Sequence, residues 1–302
     1  MTKRRSPLFA QHQPGGVFNY QSIDRYPNDV WFVDSTNAAA TDAAGYGHNP
    51  DKPVATLDYL ASLAVSGDVI ICLPGHAEVV ATAAGLVFDV AGITVRGVGE
   101  GALMPTITLT DPASDIDIDA ADIVIEHMEF VAGAADVIAA IDVNACRFTV
   151  RDCRFVGDNA GLNALIWIQD AAAGASDRIT VEDCYVNDVD ASNTHFINFS
   201  GTGTGHIIRR NSLQGDWGTM AIGGAGIVTR VIVTDNDIFN AGNTVDSCIN
   251  LAATTTGIVA RNMCAGAAAV ANGITATGCL KAENYYQVLA ADLSGLLDPP
   301  NA

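Results

Sequence analysis

Lysine is almost missing from this chain: of 302 residues, only Lys3, Lys52 and Lys281 are lysine. With a net charge of −19, the surface repels nucleic acid and anionic membrane, so neither is an expected partner. The scarcity of lysine beside abundant Ala, Asp and Gly fits genome composition or a saline habitat. There is no run of about 18 apolar residues, so no membrane-spanning helix is expected. The opening MTKRRSPLFAQ has a basic patch with no apolar stretch behind it, unlike a secretory signal of the usual kind. The seven cysteines include no CxxC pair, and no histidines are spaced for zinc. The expectation is synthesis in a reducing host cytoplasm with free thiols; release by lysis or by an unrelated secretion route is compatible with it.

What the chain does have is a hidden repeat. Six blocks read alike: Ile125-Glu-His-Met-Glu-Phe130, Val150-Arg-Asp-Cys-Arg-Phe155, Val181-Glu-Asp-Cys-Tyr-Val186, Ile208-Arg-Arg-Asn-Ser-Leu213, Val233-Thr-Asp-Asn-Asp-Ile238 and Val259-Ala-Arg-Asn-Met-Cys264, with a weaker seventh around Asn284. Their fourth positions are Met128, Cys153, Cys184, Asn211, Asn236, Asn262 and Asn284, separated by 25, 31, 27, 25, 26 and 22 residues. Strand-like blocks at that period point to a solenoid, in which residues one period apart lie on top of each other. Between them lies a second set of strands: Ile141-Asp-Val143, Ile166-Trp-Ile168, Phe196–Phe199, Met220-Ala-Ile222, Ile249-Asn-Leu251 and Gly273-Ile-Thr275. Each coil therefore holds at least two strands with side chains alternating in and out. Coils stacked at ~4.8 Å would give a rod of roughly 40 Å.

The predicted organisation is an extended arm over residues 1–30, a cap over 31–67, the solenoid over 68–286, and a C-terminal cap or tail over 287–302. The cap is expected to hold a strand at Trp31-Phe-Val33 and one helix. Val54, Leu57, Leu60, Ala61 and Ala64 fall at helical spacing, and Ser66-Gly67-Asp68 stops the helix. A cap is physically required because an open solenoid end exposes unpaired strand edges and apolar core.

These features resemble the right-handed parallel β-helix of the pectate-lyase type, an all-β fold. Pro53-Val-Ala-Thr-Leu-Asp-Tyr-Leu60 through Gly67-Asp-Val-Ile-Ile-Cys-Leu-Pro-Gly75 is similar to that superfamily's entry. Ile93-Thr-Val-Arg-Gly-Val-Gly99 is similar to its first full coil. The column Asn211, Asn236, Asn262, Asn284 resembles the asparagine ladder at its tight turn, where amides bond successive coils; Cys153 and Cys184 continue the column. The resemblance implies fold and handedness, and one fold hosts many functions.

No motif of enzymes with this fold is intact. Ile166-Trp-Ile-Gln-Asp170 resembles a Trp-Ile-Asp-His motif of the pectate-lyase family, but Gln169 replaces the acid and Ala171 the histidine; Trp167 is read as a packing or outward aromatic. Inverting glycosidases need carboxylates about 6.5–9.5 Å apart. The Asp-Asp, His-Gly and Arg-Ile-Lys strings usual in that branch are absent, and Arg178-Ile-Thr180 lacks the lysine. Asp152, Asp183 and Asp235 line up as a solvated face. Asp115-Ile-Asp-Ile-Asp119 followed by Glu126 echoes a calcium loop, yet Ala120 stands where the turn needs glycine, and alternation puts the acids outward on a strand. No cofactor is expected beyond weak divalent cation binding. Cys153 and Cys184 are near enough in the column for a disulfide, with stacked free thiols as the plainer reading. The histidines are scattered, and the glycine-rich Gly99-Glu-Gly101 and Gly201-Thr-Gly-Thr-Gly205 read as turns.

An acidic β-helix with a basic arm, free thiols and no intact catalytic motif resembles bacteriophage particle proteins. That implies a virion structural protein, a capsid decoration or cement or a tail-associated spike, forming a homotrimer and touching other virion proteins such as capsid or tail proteins. Lys3, Arg4 and Arg5 would dock the arm. The alternatives are a polysaccharide lyase or hydrolase, and a glycan-binding adhesin of the tailspike type. A groove holding Trp167 or Trp217 beside convergent carboxylates would favour these.

Overall fold

The structure, a computed structural model, describes residues 28–157, 161–170, 176–241, 247–266 and 273–288. Its strands form three long parallel sheets of ten, nine and eight strands, here sheets I, II and III. The chain visits them in the order I, II, III and then returns to I. One coil runs Val124–Glu126, Glu129–Ala132, Ile141–Val143. Each strand pairs with its counterpart one coil away, as Val150 does with Ile125 and Val181 on sheet I. This is a parallel β-solenoid.

The repeated blocks are not single strands. Their third residue breaks the extended backbone, and the remaining residues belong to two sheets. In the second block, Thr149–Arg151 lies on sheet I and Arg154–Val156 on sheet II. The third residue is left-handed in every block, with φ of 57° at His127, 52° at Asp152, 56° at Asp183, 55° at Arg210, 58° at Asp235, 54° at Arg261 and 53° at Glu283. One left-handed residue bends the chain sharply enough to leave one sheet and enter the next. Non-glycine residues adopt this region only at a cost, about 1–2 kcal/mol in the ideal case. That cost is offset here because the backbones stack: Asp152 donates its N–H to the carbonyl of Glu182, and Arg210 to that of Thr234. Each coil thus has three strands, and the third is the half of each block beyond this corner.

The interior is one continuous apolar column. Inward residues such as Ile125, Val150, Val181, Ile208, Val233 and Val259 on sheet I are at most 1% exposed. Phe130 and Phe155 stack on sheet II with ring centroids 5.1 Å apart. Gly97 shows how closely coils approach: a Cβ there would lie 1.8 Å from the carbonyl oxygen of His127.

The helix runs Leu57–Leu63 and buries Leu57, Leu60 and Ala61. Thr56 caps it by accepting from the Tyr59 N–H at 3.2 Å. Glu78 adds a second anchor, accepting from Leu57 N at 2.6 Å and Asp58 N at 3.2 Å. The strand expected at Trp31–Val33 spans Val30–Val33 and pairs in parallel with Val69–Cys72. The segment read as a cap therefore supplies the first strand of sheet I, because its backbone covers the open edge by joining the ladder.

Candidate functional site

The column at the I–II corner divides into a buried half and an exposed half. Asn211, Asn236, Asn262 and Asn284 are at most 2% exposed. Asn211, Asn236 and Asn262 bond in both directions, and Asn284 bonds back to Asn262 and Val259. Asn236 Oδ1 accepts from Asn211 N at 3.1 Å and from Asn211 Nδ2 at 2.9 Å. Asn236 Nδ2 donates to Ile208 O at 3.1 Å and Asn262 Oδ1 at 2.9 Å. The pattern repeats from Asn262 to Asn284 and ends upward where Asn211 Oδ1 accepts from Cys184 N at 3.0 Å. Cys184 and Cys153 occupy the same place as free thiols. Cys184 Sγ donates to Glu182 O at 3.3 Å, and Cys153 Sγ to Arg151 O at 3.3 Å. Burial pushes the Cys153 thiol up to about 12. It is a packing group and not a nucleophile.

The exposed half of the corner pairs charges between coils. Asp183 meets Arg210 at 2.7 Å and Asp235 meets Arg261 at 2.7 Å. His127 Nδ1 faces Asp152 at 2.7 Å, and its Nε2 faces the Gly99 carbonyl at 2.7 Å. Partial burial disfavours the imidazolium, but these two hydrogen bonds and the Asp152 and Glu100 charges outweigh it and raise the His127 pKa. Asp152, Asp183 and Asp235 are therefore the acidic partners of cations one coil away. Glu126 sits on sheet I, where it pairs with Arg96 and with Arg151 Nε at 2.6 Å. It does not complete a calcium loop with Asp115, Asp117 and Asp119, which point outward around the sheet III strand Ile116–Ile118. Among the described residues, no three His, Cys, Asp or Glu side chains are grouped to hold a metal ion.

Two His–acid pairs are enclosed. His76 Nε2 lies 3.3 Å from Glu78 Oε2. His206 Nδ1 accepts from Ile179 N at 3.2 Å, which leaves Nε2 to donate to Asp170 Oδ2 at 3.3 Å. Ser176 Oγ donates to the other oxygen of Asp170. Ser, Asp and His thus meet, but the carboxylate lies between hydroxyl and imidazole, and all three residues are 0% exposed. The hydroxyl is held by the carboxylate and not by the imidazole, and all three groups are enclosed, so the arrangement reads as structural.

The open candidate site is a row on the outer face of sheet III. The next-to-last residues of successive strands are in register: Asp117, Asp142, Gln169, Asn198, Gly223 and Asn250. Asp117, Asp142, Gln169, Asn198 and Asn250 are half-buried. Like the corner ladder the row carries side-chain amides, but it adds two carboxylates and faces outward. Burial, with Asp115 and Asp119 as like charges, raises Asp117 to about 6. Burial, with Asp117 the first of its acidic neighbours, raises Asp142 to about 6. Oδ1 of Asp142 is shielded and has no hydrogen-bond partner among the described residues. Chemically the row can donate to and accept from hydroxyl-rich ligands, and its acid end titrates near pH 6. The sequence shows Asp142, Asn198 and Asn250 within the second-set strands, but Gln169 and Gly223 lie just past the segments read as strands, so the row is visible only once the strands are aligned in register.

A raised carboxylate pKa means that the folded chain binds protons more readily than the unfolded one. Stability from Asp117 and Asp142 is complete below about pH 4 and is lost as the pH rises through about 6. Asp142→Asn is therefore expected to raise the melting temperature at about pH 8, with the gain vanishing near pH 4. A thermal melt series across pH checks this; an equal gain at both ends would refute it.

Trp167 and Trp217 are both 0% exposed. Trp167 packs edge-on to Phe155 and donates its indole N–H to Asp188 Oδ2 at 3.0 Å. Asp188 is itself 0% exposed, and burial raises it to about 6 against the hydrogen bonds it accepts. Neither tryptophan lines a groove. Lys3, Arg4 and Arg5 lie outside the described residues.

No family model matches this chain, and no curated protein matches it. Among solved structures, a rhamnogalacturonan lyase is similar over 85% of this chain and 87% of its own, at 11% identity and a TM-score of 0.41. No argument about activity follows from a likeness at that level.

Proposed function

We propose that this chain is a non-enzymatic structural protein, a rigid rod within a larger assembly of the bacteriophage virion type, as a capsid decoration or cement or a tail-associated spike. A homotrimer and contacts with other virion proteins belong to this reading. The observation that carries it is where Trp167, Trp217 and a set of charged side chains sit. Trp167 and Trp217 fill the interior; Asp122, Glu126, Glu182, Asp183 and Asp235 are each paired with an arginine one coil away, and Asp152 with His127. Such pairing, with buried amides between coils, serves rigidity, and a rod with a solvated exterior suits a particle surface.

The row on sheet III favours a second reading, contact with a glycan. Its outward carboxylates and amides match sugar hydroxyls in donor and acceptor type. Incubating the chain with a panel of acidic polysaccharides separates the two, read by absorbance of unsaturated products and by reducing ends. The expected result is no release of either. Turnover that disappears in Asp142→Asn would overturn the structural reading in favour of an enzyme.

A further inference from the structure

The coils turn from sheet III into sheet I at a second corner, whose apex residue is again left-handed. Successive corners hold Asp122, Arg147, Arg178, Gly205 and Arg230, with φ of 63°, 62°, 59°, 76° and 58°. Their backbones stack: Asp122 donates its N–H to Cys146 O, Arg147 to Asp177 O, Arg178 to Thr204 O and Gly205 to Thr229 O. The first two side chains neutralise each other, Arg147 gripping Asp122 through Nε at 2.6 Å and Nη2 at 2.7 Å. The next three do not. Arg178 and Arg230 are exposed and stand two rungs, about 9.6 Å, apart along the axis. The corner between them is glycine. A Cβ on Gly205 would have Arg178 Cγ at 3.5 Å and Arg230 Nη2 at 3.9 Å as its nearest neighbours. The guanidinium of Arg230 therefore reaches back over Gly205 toward Arg178, beside the room a side chain would take.

We infer that this corner binds a tetrahedral oxyanion of two negative charges, sulfate or phosphate, held by Arg178 and Arg230 over Gly205. Of the nine described arginines, seven pair with Asp or Glu. Arg178 and Arg230 are the other two: among the described residues, neither guanidinium pairs with an acid or donates a hydrogen bond. Asp177, beside Arg178 in sequence, accepts from Thr204 N at 2.7 Å instead. In a chain of net charge −19 acids are plentiful, so two unmatched cations at stacked corners single out this place. Two uncompensated guanidiniums equal the charge of a dianion, and each presents a fork of donors that fits a multi-oxygen acceptor. A carboxylate would neutralise only one of them. Screening over about 8–10 Å in ordinary buffer lets a small ion feel these two cations more than the acidic remainder, whereas a nucleic acid would span both. The group arrives either free or as a phosphate monoester, and the test separates the two.

The inference stands apart from the particle and glycan readings, because neither uses these two arginines. Equilibrium dialysis of the full chain against radiolabelled inorganic sulfate, at constant ionic strength, is expected to show one site per chain. Inorganic phosphate and glycerol phosphate should displace the label, and acetate should not. Glycerol phosphate displacing better than inorganic phosphate marks the monoester as the source; equal or weaker displacement marks the free ion. Arg178→Gln and Arg230→Gln should each weaken sulfate binding at least about tenfold, and the double variant should abolish it. Arg261→Gln removes the same charge from an arginine paired with Asp235 and should leave binding unchanged. Gly205→Asp is the reciprocal test. Aspartate already stands in this column with a left-handed backbone at Asp122, and at position 205 its carboxylate takes the place of the anion. It should suppress sulfate binding and raise the melting temperature in sulfate-free buffer; circular dichroism verifies that each variant folds. A wild-type chain that binds no sulfate at millimolar concentration, binding that survives the double variant, or displacement by acetate as readily as by phosphate overturns the inference.

Discussion

Asn236→Ala is expected to destabilise the chain by about 3–6 kcal/mol, because each buried polar group left without a partner costs about 1–3 kcal/mol. The substitution breaks three hydrogen bonds to the coil before it: the Asn211 N–H and the Ile208 carbonyl lose the Asn236 side chain, and the Asn211 amide, which keeps Val181 O, loses one of its two acceptors. None of them can turn to water, since Asn211, Asn236 and Asn262 are at most 2% exposed. A typical domain is stable by about 5–15 kcal/mol, so the loss is a large share of the total. Asn236→Asp should be worse: it keeps the shape but removes two donors and buries a charge. Asn236→Cys should be milder than alanine, because thiols already serve in this column at Cys153 and Cys184. Denaturant unfolding of the three variants checks the ranking. A cost for alanine under about 1 kcal/mol would mean that the ladder contributes little.

His206→Ala should cost about 3–5 kcal/mol, the range for leaving one member of an enclosed ionic or hydrogen-bonded pair behind. The imidazole joins two coils: it accepts from Ile179 N at 3.2 Å and faces Asp170 Oδ2 at 3.3 Å. Without it the carboxylate of Asp170 keeps Ser176 and loses its donor on the other oxygen. Replacing both residues with apolar side chains should recover part of the loss, since no enclosed carboxylate is then left without its donor, although the Ile179 N–H and the Ser176 hydroxyl each lose an acceptor. A double-mutant cycle tests this. An interaction energy below about 0.5 kcal/mol would show that the two act independently.

These two sites differ in how far the sequence announces them. The asparagine column is legible because, in a stacked coil, the spatial neighbour of a residue is the residue one period away. Four amides at steps of 25, 26 and 22 residues therefore declare their own contacts. The Asp170–His206 pair is separated by 36 residues, which matches no step of the repeat. It joins a strand of sheet III to the turn that follows the next coil, and only the loop lengths bring it together. The same distinction explains the corners. The blocks read as strands because their ends alternate like strands; nothing in Asp, Arg or His at the third position signals a left-handed φ, since that conformation is imposed by stacking on the coil below. Trp167 was open to an outward reading because alternation says which residues share a face and leaves the shielding of that face to the neighbouring turns.

The sequence by itself determined the stacking axis, the period, the amide and thiol column and the helix at the solenoid's entrance, because each depends on neighbours at a constant separation. Tertiary structure alone decided that each coil has three strands, that both tryptophans and the His206 pair are enclosed, and that the carboxylate row on sheet III faces outward. Those outcomes depend on where each turn folds over the sheet beside it, and turn lengths here vary from coil to coil while the strand period does not need to.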